Sequence, residues 1–166
     1  LVIPGGESSV IDKLSRHFGL ADPLRAAIAG GLPVYGTCAG LILLADRLED
    51  AAPGQRSFGG LDATVRRNAF GGQRDSFETD LVMPAVSEQP VRAVFIRAPV
   101  VLAVGADVEV LGALPDGEIV AVRQGRLLGT SFHPEVTADH RMHAYFLREL
   151  VGWRHEGDAR APGAGR

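Results

Sequence analysis

The sequence predicts an α/β domain in three layers, with a mostly parallel central sheet and a region of antiparallel strands. In the first part of the chain, short apolar runs alternate with segments of helical periodicity, and such β-α-β-α units build parallel sheets covered on both faces. In the second half, short strands follow one another through tight turns, which favours antiparallel pairing. The length of 166 residues, 46% of them hydrophobic, is enough for one sizeable core.

The first strand is predicted at residues 1–3, and it stops at the glycine turn Pro4-Gly5-Gly6. A helix follows, with Ser8 or Ser9 as its N-cap. The junction combines free N–H groups with two glycines, so it either lets a ligand approach the backbone or simply turns the chain. Because Leu1 already lies inside this strand, the sequence also predicts that a piece of the domain precedes it.

A second helix is predicted to open at Asp22-Pro23, with the aspartate as cap and the proline at the first helical position. Gly30-Gly31 closes this helix, and Pro33 begins the next strand. Strand, helix and strand thus continue the alternation on which the parallel sheet depends.

The only cysteine, Cys38, stands at a predicted strand-to-helix turn within Gly36-Thr37-Cys38-Ala39-Gly40. A nucleophile at such an elbow needs small neighbours, which Gly36 and Gly40 provide. The helix start that follows is expected to favour a thiolate, and the N–H of Ala39 can point at a developing oxyanion. The alternative is a buried cysteine that acts as a small hydrophobic residue.

Beyond Leu48 the pattern changes to a charged surface loop, predicted over residues 49–60, followed by mostly antiparallel strands and a glycine-rich loop over residues 68–73. Arg67 stands beside that glycine-rich loop. Arg97 ends an apolar strand, where its guanidinium either binds a substrate carboxylate or makes a structural ion pair. The strands are predicted at residues 61–67, 77–82, 93–96, 108–113, 119–123 and 127–131.

The last strand leads into Phe132-His133-Pro134-Glu135. A histidine and a carboxylate two positions apart at the end of a strand can face one cleft, with His133 as base and Glu135 as its orienter. A lone histidine at a strand end is more often structural, but Cys38 elsewhere in the chain changes that weighing. A helix is predicted from Asp139, with one apolar side made of Met142, Phe146, Leu147, Leu150 and Val151.

Composition narrows the function classes. The net charge of −3 gives no reason to expect nucleic acid or an anionic membrane as partner. No apolar run approaches the roughly 20 residues of a membrane span, and no signal peptide is present. A single cysteine excludes an internal disulfide framework and indicates a cytoplasmic protein. Residues 154–166, rich in Gly, Ala, Pro and Arg, are predicted to form a disordered tail.

Taken together, these motifs resemble those of the class I, triad-type glutamine amidotransferases, whose domain is flavodoxin-like. Within that group they resemble the glutaminase subunits of pyridoxal 5′-phosphate synthase, and the similarity runs over residues 1–153, a domain that lacks the family's first strand and helix. The matching segments are Pro4-Gly5-Gly6-Glu7-Ser8-Ser9, Gly36-Thr37-Cys38-Ala39-Gly40, Arg67-Asn68-Ala69-Phe70-Gly71, Asp75-Ser76-Phe77-Glu78, Phe95-Ile96-Arg97-Ala98-Pro99 and Ser131-Phe132-His133-Pro134-Glu135.

The resemblance implies hydrolysis of L-glutamine to L-glutamate and ammonia, which a synthase subunit in a large hetero-oligomer uses to make pyridoxal 5′-phosphate, without a metal or other cofactor. Cys38 resembles the nucleophile, His133 the general base and acid, and Glu135 the third triad member. Gly6 and Ala39 resemble the backbone oxyanion donors. The positions that resemble glutamine-holding residues are Gly5, Gly6, Glu7, Arg67, Ile96 and Arg97.

One departure from the family pattern is Gly72, where the family commonly has arginine. Two other functions stay open at this stage. The chain could be a glutaminase subunit for another ammonia acceptor, such as imidazole glycerol phosphate synthase, although the Phe95–Pro99 segment argues against it. It could also be a non-catalytic, truncated partner subunit that keeps the interface.

Overall fold

The computed structural model describes residues 1–67 and 76–154, in which strands and helices alternate through the first part of the chain. The strands are β1 (Val2–Ile3), β2 (Val34–Thr37), β3 (Ala45–Glu49), β4 (Leu61–Arg66), β5 (Ser76–Leu81), β6 (Val91–Ile96), β7 (Val100–Val104), β8 (Glu109–Ala113), β9 (Ile119–Gln124) and β10 (Leu127–Thr130). The helices are α1 (Ser8–His17), α2 (Ala21–Ala29), α3 (Ala39–Leu44) and α4 (Arg141–Tyr145), with a 3₁₀ turn at Pro134–Val136 and a π-helical continuation of α4 at Phe146–Val151.

The central sheet has the order β1-β2-β10-β9-β7-β4-β3, with β8 paired to β9. β1, β2 and β10 are parallel neighbours, as are β3 and β4, whereas β9, β7 and β8 pair in the antiparallel sense. β5 and β6 form a separate antiparallel pair. The predicted α/β class, with a parallel sheet and an antiparallel region, is confirmed.

Two apolar cores lie on opposite faces of the sheet, because neighbouring strand residues point to opposite sides. In β2, Val34 belongs to one core and Tyr35 to the other, and both side chains are fully buried. Leu41 of α3 packs with Val34, whereas Phe146 of the C-terminal helix packs with Tyr35. Helices therefore cover the sheet on both faces, which is the three-layer arrangement.

The ends of the first two helices differ from the sequence prediction. The N-cap of α1 is Glu7, not Ser8 or Ser9, because the Glu7 carboxylate accepts from the backbone N–H of Ser9. α2 begins at Ala21 with Leu20 as its N-cap, so Asp22 is not the cap and Pro23 is the third helical residue. Proline is tolerated there because the N–H groups of the first turn have no intrahelical partner. Gly30 closes α2 as predicted.

The C-terminal helix begins at Arg141 and not at Asp139, and its predicted apolar side is only partly buried. The Asp139 carboxylate accepts from the N–H of Arg141 at 3.1 Å and therefore lies before the first turn. Leu147 and Val151 are 40% and 38% exposed, so they do not belong to the buried side. In the described part of the chain, no helix is both long and apolar enough to span a membrane.

Two strands were not predicted. The apolar run after Cys38 is helical only to Leu44, and the chain then forms β3 in parallel with β4. β7 was also missed, because the short segment Arg97-Ala98-Pro99 was not recognised as a connection between two strands. The other predicted strands are present with ends shifted by one or two residues. The predictions for residues 68–75, including Gly72, and for the tail from 155 onward lie outside the described residues.

Candidate active site

Cys38 follows β2 immediately and is the N-cap of α3, with φ 50° and ψ −103°. A positive φ is unusual for a residue with a side chain and marks a strained turn of the kind found at nucleophile elbows. The backbone N–H of Cys38 donates to the carbonyl of Thr130 in β10 at 2.8 Å, which ties the turn to the neighbouring strand. The predicted strand-to-helix elbow at Cys38 is therefore present.

The glycines on either side of the elbow have no room for a side chain. A Cβ on Gly36 would lie 2.5 Å from the carbonyl carbon of Gly40, and a Cβ on Gly40 would run into the backbone carbonyl of Ile3. The start of α3 thus rests directly on the backbones of β1 and β2. Close packing, which only glycine permits, explains why both positions are small.

The Cys38 side chain is 7% exposed, and burial raises the pKa of its thiol to about 11. The N–H of Ala39 acts in the opposite direction by donating to the sulfur, but the loss of hydration outweighs it. The expectation that the helix start favours a thiolate is wrong, because burial has the larger effect on the thiol pKa. One physical reason is that α3 has only six residues and offers a short dipole.

His133 and Glu135 form a pair directly after β10. His133 Nδ1 and Glu135 Oε1 are 2.8 Å apart, and because an ionised carboxylate only accepts, Nδ1 carries the donated hydrogen and Nε2 is left for another partner. The backbone N–H of His133 donates to the carbonyl of Val94 at 2.8 Å, and a 3₁₀ turn at Pro134–Val136 brings the glutamate back. The predicted orienting contact is thus present in the structure.

Three chain segments meet at the carboxyl ends of adjacent parallel strands, where ligands bind in open α/β sheets. The turn after β1 brings Gly5 against the ring of His133, since a Cβ on Gly5 would lie 3.0 Å from His133 Nδ1 and nearer still to Cε1. Cys38 follows the strand between them. Within residues 1–67 and 76–154, the Cys38 sulfur and the His133 ring share no hydrogen bond, and catalytic contacts of this kind often tighten only when substrate binds.

The sequence also singled out Glu7, Arg67 and Arg97, and the structure brings their charges close to one another. Arg67 Nη2 donates to Glu7 Oε1 at 2.7 Å, and the same oxygen accepts from the hydroxyl of Ser9 at 2.9 Å. The Ser9 hydroxyl, with smaller contributions from Arg67 and Arg97, holds the pKa of Glu7 below its usual range. The guanidinium groups of Arg67 and Arg97 and the carboxylate of Glu7 therefore form one charged group.

Arg97 lies just beyond β6, with φ 43°. Its charge lowers the pKa of both Cys38 and Glu7, which places the guanidinium within electrostatic reach of both groups. Ile96 ends β6 and is 41% exposed. Gly6, with φ 144°, connects Gly5 to the cap of α1.

The sequence prediction missed Gln55, which it assigned to a surface loop. Gln55 Oε1 accepts from Arg67 Nη1 at 2.9 Å, and its Nε2 donates to the Ser8 hydroxyl at 2.9 Å. These contacts link residues far apart in sequence, so no local signal marks them.

In the described residues no three or more His, Cys, Asp and Glu side chains cluster as metal ligands would. The expectation of a metal-free site stays a prediction.

Comparison with known proteins points to one family. The SNO glutamine amidotransferase family matches residues 1–152. The chain is 64% identical over 152 residues to the pyridoxal 5′-phosphate synthase subunit PdxT of Leifsonia xyli subsp. xyli, with 92% of this chain and 77% of the relative covered. It is 68% identical over 147 residues to the subunit of the same name from Clavibacter michiganensis subsp. michiganensis, with 89% and 70% covered.

Solved structures agree with this assignment. A glutamine amidotransferase crystal structure matches with a TM-score of 0.84 at 49% sequence identity, covering 92% of this chain and 79% of that one. A putative GMP synthase protein from Thermoplasma acidophilum matches with a TM-score of 0.58 at 14% identity, covering 92% and 72%, and this second likeness supports the fold alone.

Proposed function

Because the chain belongs to the SNO glutamine amidotransferase family, we propose that it is a glutaminase that hydrolyses L-glutamine to L-glutamate and ammonia for the synthesis of pyridoxal 5′-phosphate, vitamin B6. The observation that carries the proposal is the strained elbow of Cys38 beside the paired His133 and Glu135, at the ends of the adjacent parallel strands β2 and β10. This arrangement supplies a nucleophile, a base and an orienting carboxylate.

In the proposed mechanism, the Cys38 sulfur attacks the side-chain amide carbon of glutamine while His133 Nε2 takes the thiol proton. Because burial raises the pKa of the free thiol to about 11, the sulfur is protonated at neutral pH and needs a base to take its proton. The backbone N–H groups of Gly6 and Ala39 stabilise the negative oxygen of the tetrahedral intermediate. The imidazolium of His133 then gives this proton to the amide nitrogen, the carbon–nitrogen bond breaks and neutral ammonia leaves, and a water molecule hydrolyses the thioester to release glutamate.

Glutamine carries an ammonium and a carboxylate at its other end, and the charges around the elbow complement both. In the proposed complex, Glu7 accepts from the ammonium, and the guanidinium groups of Arg67 and Arg97 stabilise the carboxylate. Gly5, Gly6 and Ile96 complete the pocket through backbone and apolar contacts. The electrostatic influence of Arg97 on both Cys38 and Glu7 supports this placement.

We propose that the ammonia acceptor is a synthase subunit, because the relatives are named as subunits of pyridoxal 5′-phosphate synthase. We include in the proposal a large hetero-oligomer with that synthase, a cytoplasmic location, and no nucleic acid or membrane partner. The amidotransferase domain is proposed to span residues 1–153. Two alternatives, a non-catalytic role and a different acceptor such as imidazole glycerol phosphate synthase, are separated by the experiment.

The test is steady-state ammonia release from glutamine, measured for the chain alone and across a titration with purified pyridoxal 5′-phosphate synthase subunit. Ammonia that escapes into solution is protonated and lost, which favours an enzyme whose glutamine hydrolysis is coupled to binding of the synthase. We therefore expect the chain alone to hydrolyse glutamine slowly and the complex to do so at least about 10-fold faster, a difference of roughly 1.4 kcal/mol in the barrier. Cys38→Ala should reduce turnover by about 10³-fold or more and leave glutamine binding measurable.

Each alternative has its own result in this assay. If a different synthase, such as imidazole glycerol phosphate synthase, stimulates hydrolysis and the pyridoxal 5′-phosphate synthase subunit does not, the proposed acceptor is wrong. Complex formation without any hydrolysis would favour the non-catalytic role. Near-normal turnover by Cys38→Ala would contradict the mechanism.

A further inference from the structure

The loop between β3 and β4 folds back onto the substrate side of the domain through one side chain, Gln55. Its carboxamide makes three hydrogen bonds: Oε1 accepts from Arg67 Nη1 at 2.9 Å and from the N–H of Ala52 at 3.2 Å, and Nε2 donates to the hydroxyl of Ser8 at 2.9 Å. Ser8 is the first residue of α1 and is 2% exposed. Gln55 therefore joins Arg67 to the start of α1 across a long stretch of sequence.

These contacts fix the plane of the Arg67 guanidinium. Nη1 donates to Gln55 and Nη2 donates to Glu7 at 2.7 Å, so two nitrogens of the planar group are held at once. The Arg67 side chain is only 12% exposed, whereas the Glu7 side chain is 55% exposed. Gln55 is half-buried and Glu7 is exposed, so of the two partners of Arg67 the Gln55 carboxamide is the better shielded, and the ion pair to Glu7 is open to solvent or substrate.

The loop that carries Gln55 is itself held in place. Next to it, the backbone N–H of Arg56 donates to Asp12 Oδ2 at 3.0 Å, and Asp12 is fully buried in α1. Arg16 completes the group by binding both oxygens of Asp12, at 3.0 and 2.9 Å. The backbone that carries the Gln55 side chain is therefore fixed relative to α1.

We propose that Gln55 is a positioning residue for glutamine: it holds the Arg67 guanidinium in the orientation that, together with Glu7, receives the amino-acid end of the substrate. The inference rests on the proposed glutaminase function and adds a residue to it. Gln55 does not touch the reacting atoms, so its loss should weaken substrate binding and leave the chemical step at Cys38 largely unchanged.

The experiment compares three variants with the wild-type chain: Gln55→Leu, which removes all three hydrogen bonds at similar volume, Gln55→Glu, which keeps an acceptor for Arg67, and Gln124→Leu as a matched control. Gln124 is a half-buried glutamine whose Oε1 accepts from the N–H of Asp62 at 2.7 Å, away from the elbow. KM and kcat are measured in the presence of saturating synthase subunit, Kd for glutamine by calorimetry in a Cys38→Ala background, and stability by thermal melting.

We expect Gln55→Leu to raise KM and Kd about 10-fold, equivalent to about 1.4 kcal/mol, with kcat within about two-fold of wild type. Gln55→Glu should recover most of this loss, and Gln124→Leu should change neither constant. If Gln55→Leu does not fold, Ser8→Ala removes the acceptor that fixes the Gln55 amide group and should raise KM about three-fold by the same route, from loss of a single neutral hydrogen bond.

A folded Gln55→Leu chain with wild-type KM would overturn the inference, and so would a rise in KM that Gln124→Leu reproduces at an equal loss of melting temperature. Failure of Gln55→Glu to recover binding would also overturn it, because the acceptor for Arg67 would then be irrelevant. If the wild-type chain neither binds nor hydrolyses glutamine, the proposed function fails and takes this inference with it.

Discussion

Substitution of Gly5 by alanine tests the geometry of the elbow without altering any side chain that takes part in the reaction. Gly5 has no positive φ, so an alanine there does not strain the backbone by itself. The new methyl group would lie 3.0 Å from His133 Nδ1 and 3.3 Å from Nε2, and closest of all to Cε1. The substitution therefore creates a steric clash with the imidazole ring of His133, the proposed base.

The size of the effect follows from these distances. The optimal van der Waals separation of non-bonded carbon atoms is about 3.5–4.0 Å, so the His133 ring has to move away by on the order of 1 Å. The same ring is bound to Glu135 at 2.8 Å, and that contact is lost or bent when the ring moves. A misplacement of about 1 Å in a reacting group can cost about 10²-fold in rate. We expect Gly5→Ala to lower kcat by about that factor. KM should change much less, because the proposed contact of Gly5 with glutamine is made by its backbone, which the substitution keeps.

The assay is glutamine hydrolysis with synthase subunit present, beside a thermal melt. Gly30→Ala is the control: Gly30 ends α2, its φ is −75°, and its new methyl would meet only backbone carbonyl oxygens of its own helix, the nearer being that of Ala26 at 3.2 Å. This variant should keep wild-type kcat. A folded Gly5→Ala chain with kcat within two-fold of wild type would refute the reasoning, because His133 would then not need its observed position.

Two further predictions concern pH. The pKa of Asp139 is about 2, chiefly because Arg141 binds both of its oxygens, so its stabilising effect is full above the unfolded-state pKa near 4 and is lost as pH falls toward 2. Asp139→Asn should lower the free energy of unfolding at pH 7 by about 1–2 kcal/mol and flatten its decline between pH 4 and 2, measured by urea unfolding; an unchanged acid profile would contradict this. For Cys38, alkylation by iodoacetamide should rise about ten-fold per pH unit from pH 7 to 10 without a plateau, because the thiol pKa is about 11, and a plateau near pH 8 would show a free thiolate.

The elbow could be predicted from sequence because its requirements are local. A short apolar strand, glycines two positions before and after Cys38, and an apolar run afterwards lie within a dozen residues, and each has a direct structural meaning. The pair of His133 and Glu135 is likewise local, since a proline between them forces the turn that brings them together. For the same reason Gly5 was recognised as a turn, although not as a neighbour of His133.

What could not be predicted depends on contacts between distant segments. Gln55 lies in a charged, proline- and glycine-containing stretch that has the composition of any surface loop, and its partners Ser8 and Arg67 are 47 and 12 residues away. The pKa of Cys38 was predicted in the wrong direction because a helix start is visible in the sequence, whereas burial by surrounding segments is not. β3 was missed because an apolar run of this length does not reveal where a helix ends.

In the structure, the residues proposed for the chemical step and those proposed to bind the amino-acid end of glutamine are held by different elements. Cys38, His133 and Gly5 stand on the ends of the parallel strands β2, β10 and β1, whose register is fixed by backbone pairing, so disturbances there should appear in kcat. Glu7 and Arg67 are held at the start of α1 and by the Gln55 loop, so disturbances there should appear in KM. Opposite responses of Gly5→Ala and Gln55→Leu, one in kcat and the other in KM, are the result that this division requires, whereas equal effects on both constants would mean that the strand ends and the loop move as one unit.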